Sequence, residues 1–234
     1  MNRRQLALLA GAGVALLGAP RARAAEAPPT TWDGLVRVPS KKFKLVYLAP
    51  GADFRPYGKV IIEPTQVAFN KDWIGDWNNQ QMTLEGQISA YDIKNAVAEG
   101  VKRASDVFGK AFADGGYQVV TAPGPDVLTV RTGIVDIVVA APDVMTRGRT
   151  FANSRAAGAA TFVVEARDSQ TNALLGRVVD QRLAGDNGLI NRSSVTNRSD
   201  FLELAKSWAK DSVGGLNELK TLSPVQVGAA APSG

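Results

Sequence analysis

The chain has 234 residues, 45% of them hydrophobic and 21% charged, a globular composition with apolar material for one substantial core. It contains no histidine and no cysteine, which excludes disulfides, thiol nucleophiles, Ser-His-Asp triads and zinc sites built from Cys or His. The formal charge is +5, but Arg3, Arg4, Arg21 and Arg23 carry most of it, and without them bulk charge gives no basis for binding nucleic acid.

Residues 1–24 read as an export signal. Arg3-Arg4 is a positive start, Leu6 to Ala19 is apolar, and Ala22-Arg23-Ala24 is a cleavage site that places the mature N-terminus at Ala25. The arginine pair also fits a twin-arginine signal, so the general secretory and twin-arginine routes both stay open. The apolar run is short for a membrane span, and no integral span is expected after cleavage. Residues 25–44 read as a linker, because Pro28, Pro29 and Pro39 oppose long regular structure and Lys41, Lys42 and Lys44 prefer water.

Residues 45–222 read as a single domain. Leu45 to Leu48 and Lys59 to Glu63 are short strands, and Pro64 places the second at an edge or a bulge. Asn70 to Gln81 reads as a polar loop. Ser89 then caps a long helix from Ala90 to about Ala113, with Asp92 completing a capping box. Val97, Val101, Ala104, Phe108 and Phe112 recur every three or four residues and define its inward face. Gly115-Gly116 ends it. Tyr117 to Thr121 and Val127 to Ala141 are strands separated by a Pro-Gly-Pro-Asp turn. Ala159 to Arg167 and Ala173 to Leu183 form a hairpin around Asp168 to Asn172.

Asn197 or Ser199 can cap a second helix, whose inward face is Phe201, Ala205, Trp208, Ser212, Leu216 and Leu219. Gly214-Gly215 weakens its last turns. Residues 223–234 are rich in Ala, Gly and Pro and read as a disordered tail.

Four side chains are candidates for ligand binding. Trp73 and Trp77, four apart, can stack on sugar rings such as those of peptidoglycan, or fold over a sheet edge like most large aromatics. Asp72 and Asp76 flank them and can serve as an acid/base pair or bind calcium, although no EF-hand spacing surrounds them and solvated carboxylates are the plainer reading. Arg147 and Arg149, with Arg155 nearby, can grip a phosphate of lipopolysaccharide or of a phospholipid head; solvated arginines are again the plainer reading. Arg131, Asp136, Glu165, Arg167, Arg177, Asp180 and Arg182 fall on strands and are expected to pair across a wet sheet face. No nucleotide-binding glycine motif follows a strand, and no cofactor or metal site is expected.

Four segments occur in a characteristic order: Lys59-Val-Ile-Ile-Glu-Pro, Gly116-Tyr-Gln-Val-Val, Pro125-Asp-Val-Leu-Thr-Val-Arg and Glu165-Ala-Arg-Asp-Ser-Gln-Thr-Asn-Ala-Leu-Leu. Together they resemble the bacterial envelope proteins grouped as domain of unknown function 3313 (DUF3313), over about Phe43 to Leu219. Many members carry a lipid-bearing cysteine after the signal. This chain has none, so the resemblance implies a periplasmic protein without that anchor. Asn172 stands where the family usually has Gly, and Asn tolerates the left-handed conformation such a turn needs. The family supplies no catalytic residue to carry over.

The expected fold is α+β, a mostly antiparallel sheet of five to six strands with two helices packed on one face. The expected function is a non-enzymatic envelope binding or assembly module, whose partner is an envelope protein or a cell-wall or lipid component. The alternatives are a carboxylate-dependent hydrolase of an envelope polymer, with opposed Asp or Glu near Trp73 and Trp77, and a protein that binds lipid or anionic glycan through the arginine loop.

Overall fold

The computed structural model describes residues 27–140, 152–154, 156–185, 190–192 and 194–226. In chain order the elements are β1 (Thr31–Trp32), β2 (Leu35–Val38), β3 (Leu45–Leu48), β4 (Lys59–Ile62), β5 (Gln66–Phe69) and α1 (Lys71–Gln80). A single turn of helix, Leu84–Gly86, leads to α2 (Ala90–Asp114), β6 (Gln118–Val119) and β7 (Val127–Val139). Then come β8 (Ala152–Ser154), β9 (Gly158–Asp168), β10 (Leu174–Ala184), β11 (Ile190–Arg192) and α3 (Ser194–Leu222).

The class is α+β, but the sheet is larger than expected and mixed. Nine strands run in the order β1-β2-β3-β10-β9-β7-β4-β6, with β5 also on β7, while β8 and β11 form a separate pair. The β2, β3, β10, β9 and β7 pairings are antiparallel, whereas β4 and β5 lie parallel to β7, and β6 parallel to β4. The parallel part follows from α2, which carries the chain from one end of the sheet back to the other, so the returning strand runs in the same direction. Strands of two to four residues reveal no partner by their own pattern, so the parallel pairing is not legible in these segments.

Helices α2 and α3 lie on one sheet face. Ala104, Phe108 and Phe112 of α2 are buried, as are Ala205, Trp208, Ser212 and Leu216 of α3, so both expected stripes turn inward. Their centre is an aromatic stack: Phe162 of β9 lies between Phe108, with ring centres 5.4 Å apart, and Trp208, at 5.2 Å. Such pairs add about 0.5–1.5 kcal/mol each to the burial of the rings. Trp208 Nε1–H donates to Asp180, which also accepts from the Lys44 N–H, each at 2.9 Å. The Gly214-Gly215 pair does not end α3, which continues to Leu222; Phe43 and Leu216 hold this stretch in the core.

The opposite face carries a charged rung. Arg37, Tyr47, Arg177, Glu165 and Arg131 sit side by side on β2, β3, β10, β9 and β7. Arg177 donates to Glu165 and to Asp33, and Trp32 lies over its guanidinium at 4.1 Å. Burial pushes the Glu165 carboxyl up, but hydrogen bonds from Arg177 and Arg167 outweigh it and hold the group below its usual range. The expectation of a wet face of cross-strand pairs is therefore corrected twice: Arg177 is buried beneath Trp32, and Asp180 with Arg182 lies on the helix side, where Arg182 pairs with Asp211 of α3.

Three more readings change. The segment expected as a linker contributes β1 and β2, the second paired along β3. The expected polar loop 70–81 is helix α1, capped by the Asn70 side chain, which accepts from the Trp73 N–H at 2.8 Å. The expected tail is held at its start: Val225 is buried and its N–H donates to Ala52 O. The hairpin turn is as expected. Asp168 Oδ1 accepts from the N–H groups of Gln170 and Thr171, and Asn172 takes the left-handed conformation at φ 58°.

Candidate functional site

At the end of the sheet where α2 and α3 begin lies a pocket of about 440 Å³, within the ~300–1,000 Å³ range of small-ligand sites. Its floor is Val67 and Phe69 of β5 with Ile134, Ile137 and Val139 of β7. Ile93, Ala96 and Gly100 of α2 form one wall, and Phe201, Ala205 and Trp208 of α3 the other. Trp73 and Tyr91 stand at the side nearest α1.

The local sequence explains why a space exists here. The two helices run in the same sense, and beyond the pocket they meet closely. Gly115, where a Cβ would overlap Val213, admits that contact, and the Tyr117 hydroxyl donates to Asn217 at 2.6 Å. Burial raises the Tyr117 phenol to about 12. At their beginnings the helices flank the pocket instead. The start of α2 is set by the expected capping box: Ser89 Oγ accepts from the Asp92 N–H at 3.1 Å, and Asp92 accepts from the Ser89 N–H at 2.8 Å. Gly158 fixes the floor, because a Cβ there would overlap Val138 O, and its φ of 156° is one that side chains rarely adopt.

The lining separates by polarity. Its buried members are Ile88, Ala104, Ile134, Ile137, Ala205, Trp208 and Asn197, all apolar except the last. The charged members Glu99, Arg103 and Arg198 are exposed and Asp92 is half-buried, so among the described residues charge is confined to the rim. Arg103 pairs with Glu99 at 2.7 Å across one helical turn. An interior of this kind can desolvate a hydrocarbon surface, whereas the rim leaves a polar end in water.

Of the four candidate residues, the structure brings one to the pocket. Trp73 stacks on Phe69, with ring centres 6.1 Å apart. Trp77 is half-buried on the same side of α1, and its Nε1–H donates to Gly86 O at 3.0 Å; it does not line the pocket. Trp73 therefore folds over the sheet edge, whereas Trp77 is held by the connection that follows α1. Arg147 and Arg149, like Arg155, lie outside the described residues. Asp72 and Asp76 are exposed on the outer side of α1, not opposed across a cleft. Sequence reasoning missed the pocket itself, although Phe201 belongs to the predicted α3 stripe and Ile93 lies one helical turn ahead of the predicted α2 stripe. A stripe marks an inward side and does not say whether anything meets it.

The family model described as "Protein of unknown function (DUF3313)" matches residues 31–212. The chain belongs to the DUF3313 family. The match begins at β1, so the two strands of the supposed linker are part of the family unit. No curated protein matches this DUF3313 chain. Among solved structures it is similar to the PelC dodecamer from Paraburkholderia phytofirmans, with 14% identity, 78% of this chain and 97% of that chain covered, and a TM-score of 0.35. It is also similar to protein XCC0632 of the DUF330 family from Xanthomonas campestris, with 10% identity, 74% and 91% covered, and a TM-score of 0.39. Likenesses at these scores carry no assembly state or ligand over to the DUF3313 chain. Among its described residues, no helix is long and apolar enough to cross a membrane.

Proposed function

We propose that this DUF3313 chain is an exported, periplasmic, non-enzymatic binding module of the bacterial envelope, and that the pocket between α2 and α3 is its binding site. The observation that carries the reading is the lining: among the described residues it is a buried apolar interior closed at one end, with charge at the rim. Catalysis of the acid/base kind needs opposed groups inside a cleft. Asp72 and Asp76 stand exposed on the outer side of α1, which gives the hydrolase reading no support. Export rests on Arg3-Arg4, the apolar run to Ala19 and the Ala22-Arg23-Ala24 site.

Two measurements test the proposal. N-terminal sequencing of protein from the cell envelope is expected to begin at Ala25; Met1 there would end the export reading. A naphthylamine dye whose emission rises in apolar surroundings is expected to bind the mature protein, and Ala96→Phe, which pushes a ring into the pocket, is expected to abolish the rise. Dye binding unaffected by Ala96→Phe would remove the pocket as the site.

A further inference from the structure

We infer that the pocket receives an acyl chain of a membrane phospholipid, and that the connection between α1 and α2 touches the bilayer from which the chain comes. The inference rests on the pocket being the binding site. Two separate observations lead to it.

The first is the kind of ligand the interior accepts. Among the described residues its buried side chains offer few hydrogen-bonding groups: Asn197 is polar, and the Trp208 Nε1–H is already given to Asp180. A ligand with polar groups along its length would lose water there without replacement. A run of methylenes loses nothing, and its polar head can remain at the rim beside Arg103 and Glu99.

The second is the surface beside the mouth. Met82 is 103% exposed, Leu84 83% and Tyr91 62%. The loop that carries Met82 and Leu84 is tied down on both sides. Trp77 donates to Gly86 O, the Asn78 side chain accepts from the Ile88 N–H at 2.7 Å, and Asn78 Nδ2 donates to Ile88 O at 3.0 Å. Held in that way, the loop presents two large apolar side chains to water, and the chain then passes directly into Ile88 and Tyr91 of the pocket lining. An ordered apolar tip continuous with an apolar pocket suits a bilayer surface, where the tip enters the headgroup boundary and a chain leaves it. A carrier of free fatty acid dissolved in water would have no use for such a tip.

The test uses the mature protein purified from the envelope and phosphatidylcholine vesicles whose acyl chains carry bromine, which quenches tryptophan on contact. Co-sedimentation with the vesicles and quenching of Trp208 and Trp73 are both expected. The double variant Met82→Ser/Leu84→Ser is expected to weaken co-sedimentation about tenfold for each side chain lost, while dye binding stays intact. Ala96→Phe is expected to co-sediment without quenching. Short soluble fatty acids should bind about fourfold more tightly for each added methylene until the pocket is full. Sedimentation without quenching, quenching by soluble fatty acids but not by vesicles, or a dimer dissociated by the double variant with vesicle binding unchanged would each overturn the inference. If the dye binds and Ala96→Phe abolishes it while the vesicles show nothing, this inference falls and the proposed function stands. If the dye does not bind, both fall.

Discussion

The two halves of α2 carry the same apolar spacing and meet different surroundings. In the second half, Ala104, Phe108 and Phe112 are buried against β9 and α3, and Gly115 lets Val213 come close. In the first half no side chain is fully buried, although Ile93, Val97 and Val101 extend the stripe. α3 makes the difference. Ala209, Val213 and Leu216 fill one end of the layer, whereas towards its start Phe201 faces the pocket over β5 and β7. One end of the layer is packed shut, and the other leaves apolar surface lining a pocket.

The comparison can be broken first at the closed end. Phe108→Ala removes a ring stacked on Phe162 and should cost about 3–5 kcal/mol in urea unfolding. Phe201→Ala, at the half-buried wall of the pocket, should cost about 1–1.5 kcal/mol. Equal losses would mean that the two ends are packed alike.

Gly115→Ala comes next. Its methyl would meet Val213 and lie 3.2 Å from Ala111 O, and the overpacking should cost about 1–3 kcal/mol. The same change at Gly100, in the open half, is expected to have the smallest effect of all. Its methyl would sit 3.2 Å from Val67 Cγ1, and the gain in helix propensity, up to about 1 kcal/mol, should offset that contact. A clear loss at Gly100 would show the open end to be as tight as the closed one.

Two effects of intermediate size sharpen the comparison. Ser89→Ala removes the cap at the pocket end of α2 and should cost about 1 kcal/mol, with dye binding weakened as that end frays. Tyr117→Phe removes a hydrogen bond at the closed end and should cost about 1 kcal/mol or less at neutral pH. Its signature lies in alkali. Burial raises this phenol from 10.0 to about 12, so the native state keeps a proton that the unfolded chain has lost. Stability fully present below pH 10 is therefore lost as pH rises towards 12. Tyr57 is raised to about 12 as well, by burial and by its hydrogen bond to Asp168. Tyr117→Phe should flatten part of the alkaline decline in thermal unfolding, and adding Tyr57→Phe should flatten more of it. An unchanged profile would place both phenols in water.

What the sequence determined by itself was local or periodic. Ser89 and Asp92 set the start of α2 because a cap needs only neighbours three residues apart. Asp168 and Asn172 set the hairpin because the turn closes within five residues. The two helical stripes told which sides turn inward, and the ordered segments at β4, β6, β7 and the hairpin told the family. α1 escaped because its apolar side chains, Trp73, Ile74 and Trp77, are only half-buried and leave a weak pattern. The rest was decided by contacts between distant segments. The parallel pairing of β4 and β5 along β7 depends on where α2 returns the chain. The burial of Arg177 depends on Trp32, which lies on another strand far away in sequence. The pocket exists because α2 and α3 meet at one end and stand apart at the other. Separation between two elements is a property of neither sequence segment alone, so only the folded chain could show it.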